Sequence, residues 1–338
     1  MHDYLYDVNT VRVAIILGVI VTTLFYERVQ LTTGGAIVPG YLALFLARPL
    51  FIATTLATSY LTYVIVNKVI ARRYILYGRR KFEIEVLTGL ALVALWSAIA
   101  HAVLRFSPLF AALYGIGFVV PAVIAHDAFR QGPTKTYLAI LLNVGIIGSM
   151  IFVFSSLHRI SPWSDGSAST DIGTGALGFH AGLVLPAVFV SVIAGMLVFH
   201  YLGLRTGGFV AGAYLALVLP RPLDVIYAFV AAVGAYWFVT RFLMHHMLIF
   251  GRRKLGMMIL TAAIFSWVGE IVLSAITQER YIPWQGFHVI TLMVPALLAN
   301  DAQRQGLYRT VWGAGISTAA VFTVMGALQA GLLFLGYL

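Results

Sequence analysis

The sequence predicts an all-α fold: a polytopic transmembrane helical bundle made of two parallel tandem repeats, each containing broken or re-entrant helices. Three observations carry this. The 338 residues are 61% hydrophobic and only 10% charged, with a mean hydropathy of +0.93, which leaves too little polar surface to cover a water-soluble globule. Apolar runs at 11–26, 49–66, 84–103 and 137–154 approach the ~20 residues that a helix needs to cross the hydrocarbon layer. And the chain repeats itself.

The repeat is read at fixed spacing. Thr33-Gly34-Gly35 recurs as Thr206-Gly207-Gly208, Tyr41-Leu42-Ala43-Leu44 as Tyr214-Leu215-Ala216-Leu217, and Arg48-Pro49-Leu50 as Arg221-Pro222-Leu223. Gly78-Arg79-Arg80-Lys81 recurs as Gly251-Arg252-Arg253-Lys254, all at an offset of 173. With one inserted residue the register continues, placing His126-Asp127-Ala128-Phe129-Arg130-Gln131-Gly132 over Asn300-Asp301-Ala302-Gln303-Arg304-Gln305-Gly306. Low-complexity apolar sequence does not produce ordered matches at Gly, Pro and Arg, so the chain reads as a duplication. The expected parts are a first unit at 1–157, an extracytoplasmic linker at 158–176 rich in Ser, Gly, Thr and Asp, and a second unit at 177–338.

Each unit holds four long apolar runs and two short ones, the latter near 36–47 and 109–125 in the first copy. Pro39-Gly40 and Pro121 interrupt the short runs, and a freed backbone carbonyl is tolerated only inside protein or a wet cavity. If all six segments of a unit cross, then Arg28, the run Lys68, Arg72, Arg73, Arg79, Arg80 and Lys81, and the pair Arg130 and Lys135 share one face. The positive-inside rule assigns that face to the cytoplasm. About twelve crossings are therefore expected. An even number per unit would insert both copies in the same orientation. The first run is read as an uncleaved span, because Asp3 and Asp7 stand where a secretory signal would be basic.

The net charge of +10 comes from 22 basic against 12 acidic residues. Of the basic residues 18 are Arg and 4 Lys, and the planar guanidinium suits a polyanion or an anionic lipid surface. With no cysteine, disulfides, thiolate metal sites and cysteine nucleophiles are excluded. No phosphate loop, paired-histidine motif or nucleophile elbow is present, and His245-His246 are adjacent and point to different helix faces. No cofactor, metal or nucleic-acid partner is expected.

Three polar constellations are candidate sites. Glu27-Arg28 ends the first run, with His200-Tyr201 as its counterpart, and reads as an anion contact or an interfacial anchor. The turns carrying Arg79, Arg80 and Lys81, and Arg252, Arg253 and Lys254, present cations together for a cytoplasmic partner or for anionic lipid. His126, Asp127 and Arg130, repeated as Asn300, Asp301 and Arg304, follow a broken segment, where membrane proteins place binding sites. There the arginine would grip a substrate carboxylate while the aspartate three residues earlier holds the guanidinium. Glu270, opposite Ser97, reads as the one carboxylate well within a span.

At these same residues the chain resembles the CapC/PgsC family, the small membrane subunit of bacterial poly-γ-glutamate capsule synthases. Glu27-Arg28, Val38-Pro39-Gly40-Tyr41-Leu42-Ala43-Leu44, Ile75-Leu76-Tyr77-Gly78-Arg79-Arg80-Lys81-Phe82, and Val120-Pro121 through Arg130-Gln131-Gly132 follow the family's order. The second unit keeps Gly-Arg-Arg-Lys and Arg304-Gln305-Gly306, and its Asn300 fits the family better than His126 does. It departs at Ala211-Gly212-Ala213. Family members usually contain one unit, so the duplication looks like a fused dimer. The resemblance implies a multi-pass protein of the bacterial cytoplasmic membrane. It also implies a partner: an ATP-dependent amide ligase similar to Mur ligases, which extends the anionic polymer while the CapC-like subunit holds the ligase and assists passage of the chain. On that reading the protein is an accessory subunit without catalysis of its own. A secondary transporter for a small organic anion, or a membrane-embedded transferase using His126 or Asp127, are the alternatives.

Overall fold

The computed structural model describes residues 8–103, 116–160, 177–246, 251–278, 281–284, 287 and 289–336. The chain divides into two compact units, Met1–Ala168 and Ser169–Leu338. The expected linker lies outside the described residues except for 158–160.

The first unit contains α1 (Val8–Val29), α2 (Val38–Ala43), α3 (Pro49–Val64, continued by a π-helical turn Ile65–Ile70), α4 (Gly78–Val103), α5 (Val120–Gln131) and α6 (Pro133–Ile160). The second contains α7 (Val184–Leu202), α8 (Gly208–Leu217) and α9 (Pro222–Trp237, continued by a π turn Phe238–Leu243 and a last turn Met244–His246). It then has α10 (Arg252–Ile276), α11 (Ile290–Gln305) and α12 (Leu307–Phe334). The two π turns stand 173 residues apart, so the duplication has preserved a backbone irregularity along with sequence. Among the described residues eight helices are long and apolar enough to cross a membrane. Their outward faces carry Leu24, Leu141, Phe152, Val230, Trp237 and many similar side chains, the apolar exterior that a lipid-facing bundle needs.

The four short helices do not cross by length alone. At 1.5 Å per residue, α2 rises only about 9 Å and α8 about 15 Å, against a hydrocarbon layer of about 30 Å. The interrupted segments nevertheless run from one end of each bundle to the other. In the first unit Thr32 is bonded to Gln131 beside the start of α6, whereas Leu46 lies against Gly148, about four turns further along α6. In the second, Arg205 is bonded to Gln305 at the start of α12, and the carbonyl of Leu217 accepts the Gly178 N–H at the opposite end. The return segment behaves alike: Ile116 donates to Thr55 Oγ1 near the start of α3, and α5 ends beside α6. Among the described residues each unit thus has four long helices, and its short helices with their adjoining described loops reach between the same two ends.

Backbone contact makes the interruptions possible. Gly18 of α1 meets Gly40 of α2 so closely that a Cβ on Gly18 would stand 2.6 Å from the Gly40 Cα, which excludes any side chain there. In α3 the buried residues Thr55, Thr58, Ser59 and Thr62 face inward. Each donates to a carbonyl of its own helix, so none of these four hydroxyls is left without an acceptor. The matching positions of α9 are all alanine: Ala228, Ala231, Ala232 and Ala235.

Candidate functional site at the basic end of each unit

Both units gather their repeated polar motifs at one end. The loop before α2 carries Thr33-Gly34-Gly35, with Gly34 at φ +76° and Gly35 at φ +99°, a left-handed conformation that glycine adopts without penalty. The buried Gly34 amide donates to Asp127 Oδ2 at 3.0 Å. In the second copy Gly207, at φ +77°, donates to Asp301 Oδ2 at 3.1 Å. The glutamine four residues later completes a clamp. Gln131 Oε1 accepts the Thr32 N–H at 2.8 Å, while its amide donates to the Thr32 carbonyl at 2.6 Å and to Thr136 Oγ1 at 2.9 Å. Gln305 repeats this on Arg205 and Thr310. Much of the repeated Asp-x-x-Arg-Gln-Gly motif is therefore a device that closes a broken segment onto the next helix, satisfying backbone groups that a membrane cannot.

This corrects the expected role of the aspartates. Asp127 is buried, and its Oδ2 takes the loop amide. Asp301 holds Gly207, and the guanidinium its other oxygen approaches is that of Arg205, at 3.8 Å, from the loop before α8. Arg130 and Arg304 are exposed, and among the described residues no acceptor engages either one.

The cationic turns are also not uniform. Arg80 and Arg253 are exposed. Arg79 is bound to Glu83 through Nε and Oε1 at 2.7 Å. Lys81, expected to face a partner, is instead 5% exposed, with its ammonium over the Phe129 ring. Lys254 is half-buried and donates to Gln303 Oε1. The side chain of Arg252 lies outside the described residues. Glu27 and Arg28 are both exposed at the end of α1. Between Lys81 and the span stand Tyr74, Ile75 and Tyr77, exposed by 65%, 90% and 78%, an apolar tip flanked by Arg72, Arg73 and Arg80.

Sequence reasoning missed the most unusual group of the first unit. Glu85 is wholly buried. Its Oε2 lies 2.7 Å from His126 Nδ1, and because a carboxylate only accepts, the imidazole N–H is the donor. Its Oε1 is buried without a partner. Lys81 is close enough to attract it electrostatically, and the His126 ring, with its side chain 28% exposed, stacks edge-on with Phe82. Glu270 is thus not alone among carboxylates within the spans: Glu83 and Glu85, one and two turns into α4, are both buried. Glu270 itself lines a shallow cavity with Ser274 on α10 and Gln278 just beyond its end. The signal for Glu85 was present, since the repeat places Gly256 and Met258 opposite Glu83 and Glu85, just as it places Asn300 opposite His126.

At the other end of the second unit, Asp224 is buried and accepts from Tyr281 Oη at 2.5 Å and from the Trp284 amide at 3.2 Å. Burial and this carboxylate hold the Tyr281 hydroxyl's pKa above its ordinary range. Arg221 stands 3.9 Å from the same carboxylate. Trp284 Nε1 donates to the Asp224 carbonyl, so the group closes the start of α9 as a polar cap.

The family model described as "Capsule biosynthesis CapC" matches the chain twice, over residues 17–137 and 190–311. The "PGA biosynthesis protein CapC" of Bacillus subtilis is 38% identical over 142 residues, which are 42% of this chain and 93% of that protein. The "Capsule biosynthesis protein CapC" of Bacillus anthracis is 41% identical over 132 residues, 39% of this chain and 87% of that protein. No solved structure matches.

Proposed function

The chain belongs to the CapC capsule-biosynthesis family, with the family unit present twice in one polypeptide, and from that premise we propose that it is the membrane subunit of a poly-γ-glutamate-type polymer synthase. In this role it holds a cytoplasmic, Mur-ligase-like ATP-dependent ligase at the membrane and assists passage of the anionic chain. The basic ends of both units face the cytoplasm of a bacterial inner membrane, as the positive-inside rule requires.

One observation supports the polymer contact above the others: Arg130 and Arg304, at matching positions beside the two clamps, are exposed, and among the described residues neither engages an acceptor. A guanidinium so placed is available for two-point contact with a carboxylate. The exposed Arg80 and Arg253, with the Tyr74–Tyr77 tip, supply a surface on which a ligase can dock.

The test is to measure inserted protein, ligase co-purification and exported polymer together for Arg130→Lys, Arg304→Lys and the double variant. Lysine keeps the charge and loses the fork, so polymer output should fall while insertion and ligase association stay unchanged. Normal output from the double variant would remove the two-point contact. Loss of insertion would return these arginines to a structural role.

A further inference from the structure

We infer that the basic ends of the two units are not equivalent, and that the anionic polymer is held at the second, by Arg205, Lys254 and Arg304. The inference rests on the polymer reading above and specifies which copy carries it.

The repeat supplies an internal control, because every group at one end has a counterpart at the other. In the second unit Arg205 arrives on the loop before α8, Lys254 on the first turn of α10 and Arg304 on the last turn of α11. They share one neighbourhood: Lys254 feels the charge of both Arg205 and Arg304, and Arg205 stands 3.8 Å from Asp301. Arg309 reaches the Gly203 carbonyl at the rim. Asp301 is the one carboxylate among these groups, and it also holds the Gly207 amide. Three cations converging from three segments around one carboxylate leave an excess of positive charge, with Arg304 exposed and the Arg205 side chain 32% exposed.

The first unit reverses this balance at the same positions. Thr32 stands where Arg205 does. Lys81 is buried over Phe129, whereas Lys254 meets the polar Gln303. Gly256 and Met258 are replaced by Glu83 and Glu85, both buried, so that three carboxylates, Asp127, Glu83 and Glu85, stand at the end that carries Arg79, Lys81 and Arg130. Arg79 is already bound to Glu83. A chain of carboxylates approaching Arg130 therefore meets a neighbourhood in which negative charge is fully represented, and gains only a peripheral contact. At Arg304 it meets unbalanced cations. Substitutions at 32, 83 and 85 all act in the same electrostatic direction.

The probe is a γ-linked glutamate oligomer of defined length, titrated against the full chain in nanodiscs of zwitterionic lipid. Wild type should bind one oligomer per chain. Arg304→Gln and Arg205→Thr should each weaken binding about tenfold, at least fivefold more than Arg130→Gln does. The combined change Thr32→Arg, Glu85→Met and His126→Asn gives the first unit three residues of the second mouth, adding a cation and removing a carboxylate, and should raise the stoichiometry to two. Equal losses from Arg130→Gln and Arg304→Gln, or two oligomers on the wild type, would overturn the inference and leave the proposed function standing. Failure of the wild type to bind at all would overturn the polymer reading itself. Repeating the titration in discs with anionic lipid separates headgroup from polymer: binding should persist, and its abolition there would assign the site to lipid.

Discussion

Replacing His126 by the asparagine of its counterpart, Asn300, should destabilise the first unit, and a second change, Glu85→Met, should rescue it. Glu85 is wholly buried and its one hydrogen bond comes from His126. Removing one partner of a buried pair typically costs about 3–5 kcal/mol. Loss of the edge contact with Phe82 adds at most about 1 kcal/mol. A loss of about 3–5 kcal/mol is expected for His126→Asn. Glu85→Met alone should be nearly neutral, because the half-open His126 ring can turn to water while the carboxylate cannot. The double variant reproduces the second unit's pair, Met258 and Asn300, and should lie within about 1 kcal/mol of wild type or above it. Reversible unfolding of the purified protein in mixed micelles, followed by tryptophan fluorescence, gives the four corners of the cycle. A coupling near zero, with the two single effects simply adding, would refute the claim that the histidine is there to satisfy the glutamate.

Asp127→Asn and Asp301→Asn keep the acceptor oxygen for Gly34 and Gly207 while removing the charge, and each should cost about 1–2 kcal/mol in the same assay. Asp127→Ala and Asp301→Ala should cost more, and alanine variants as stable as the asparagine ones would show that the loop amides are satisfied elsewhere. Cysteines placed at the exposed Arg80 and Arg253 should label from the same side of the membrane in spheroplasts and in inverted vesicles. Labelling from opposite sides would end the proposal that both units insert in one orientation.

The fold class was legible because hydropathy and repetition are properties of the chain alone. The basic residues predicted about twelve crossings; among the described residues eight helices have the length and apolarity to cross, and α2 and α8 are far too short to do so as helix. What the sequence concealed was how its repeated motif is used. Asp127 and Arg130 stand three apart on one helix turn, which suggests a pair, but the aspartate's partner is a glycine amide 93 residues away. No local pattern reports a contact of that range, although the co-recurrence of Thr-Gly-Gly with Asp in both copies was a trace of it. Lys81 was misread for a similar reason: three consecutive cations on a helix point in three directions, so one of them turns inward. Glu83 and Glu85 escaped notice because they adjoin a basic turn and look like its solvated continuation. Only the neutral residues opposite them in the repeat mark them as exceptional.

The mismatch between the two basic ends has a genetic meaning. In an assembly of identical subunits, one codon change appears in every copy at once, so a glutamate at position 85 would enter all of them and the methionine would be lost from all. Joining two copies in one reading frame frees each from the other. A residue that suits one half no longer has to be tolerated by its twin, and a division of labour that would otherwise require two genes, expressed in matched amounts, can be encoded and inherited as a single one.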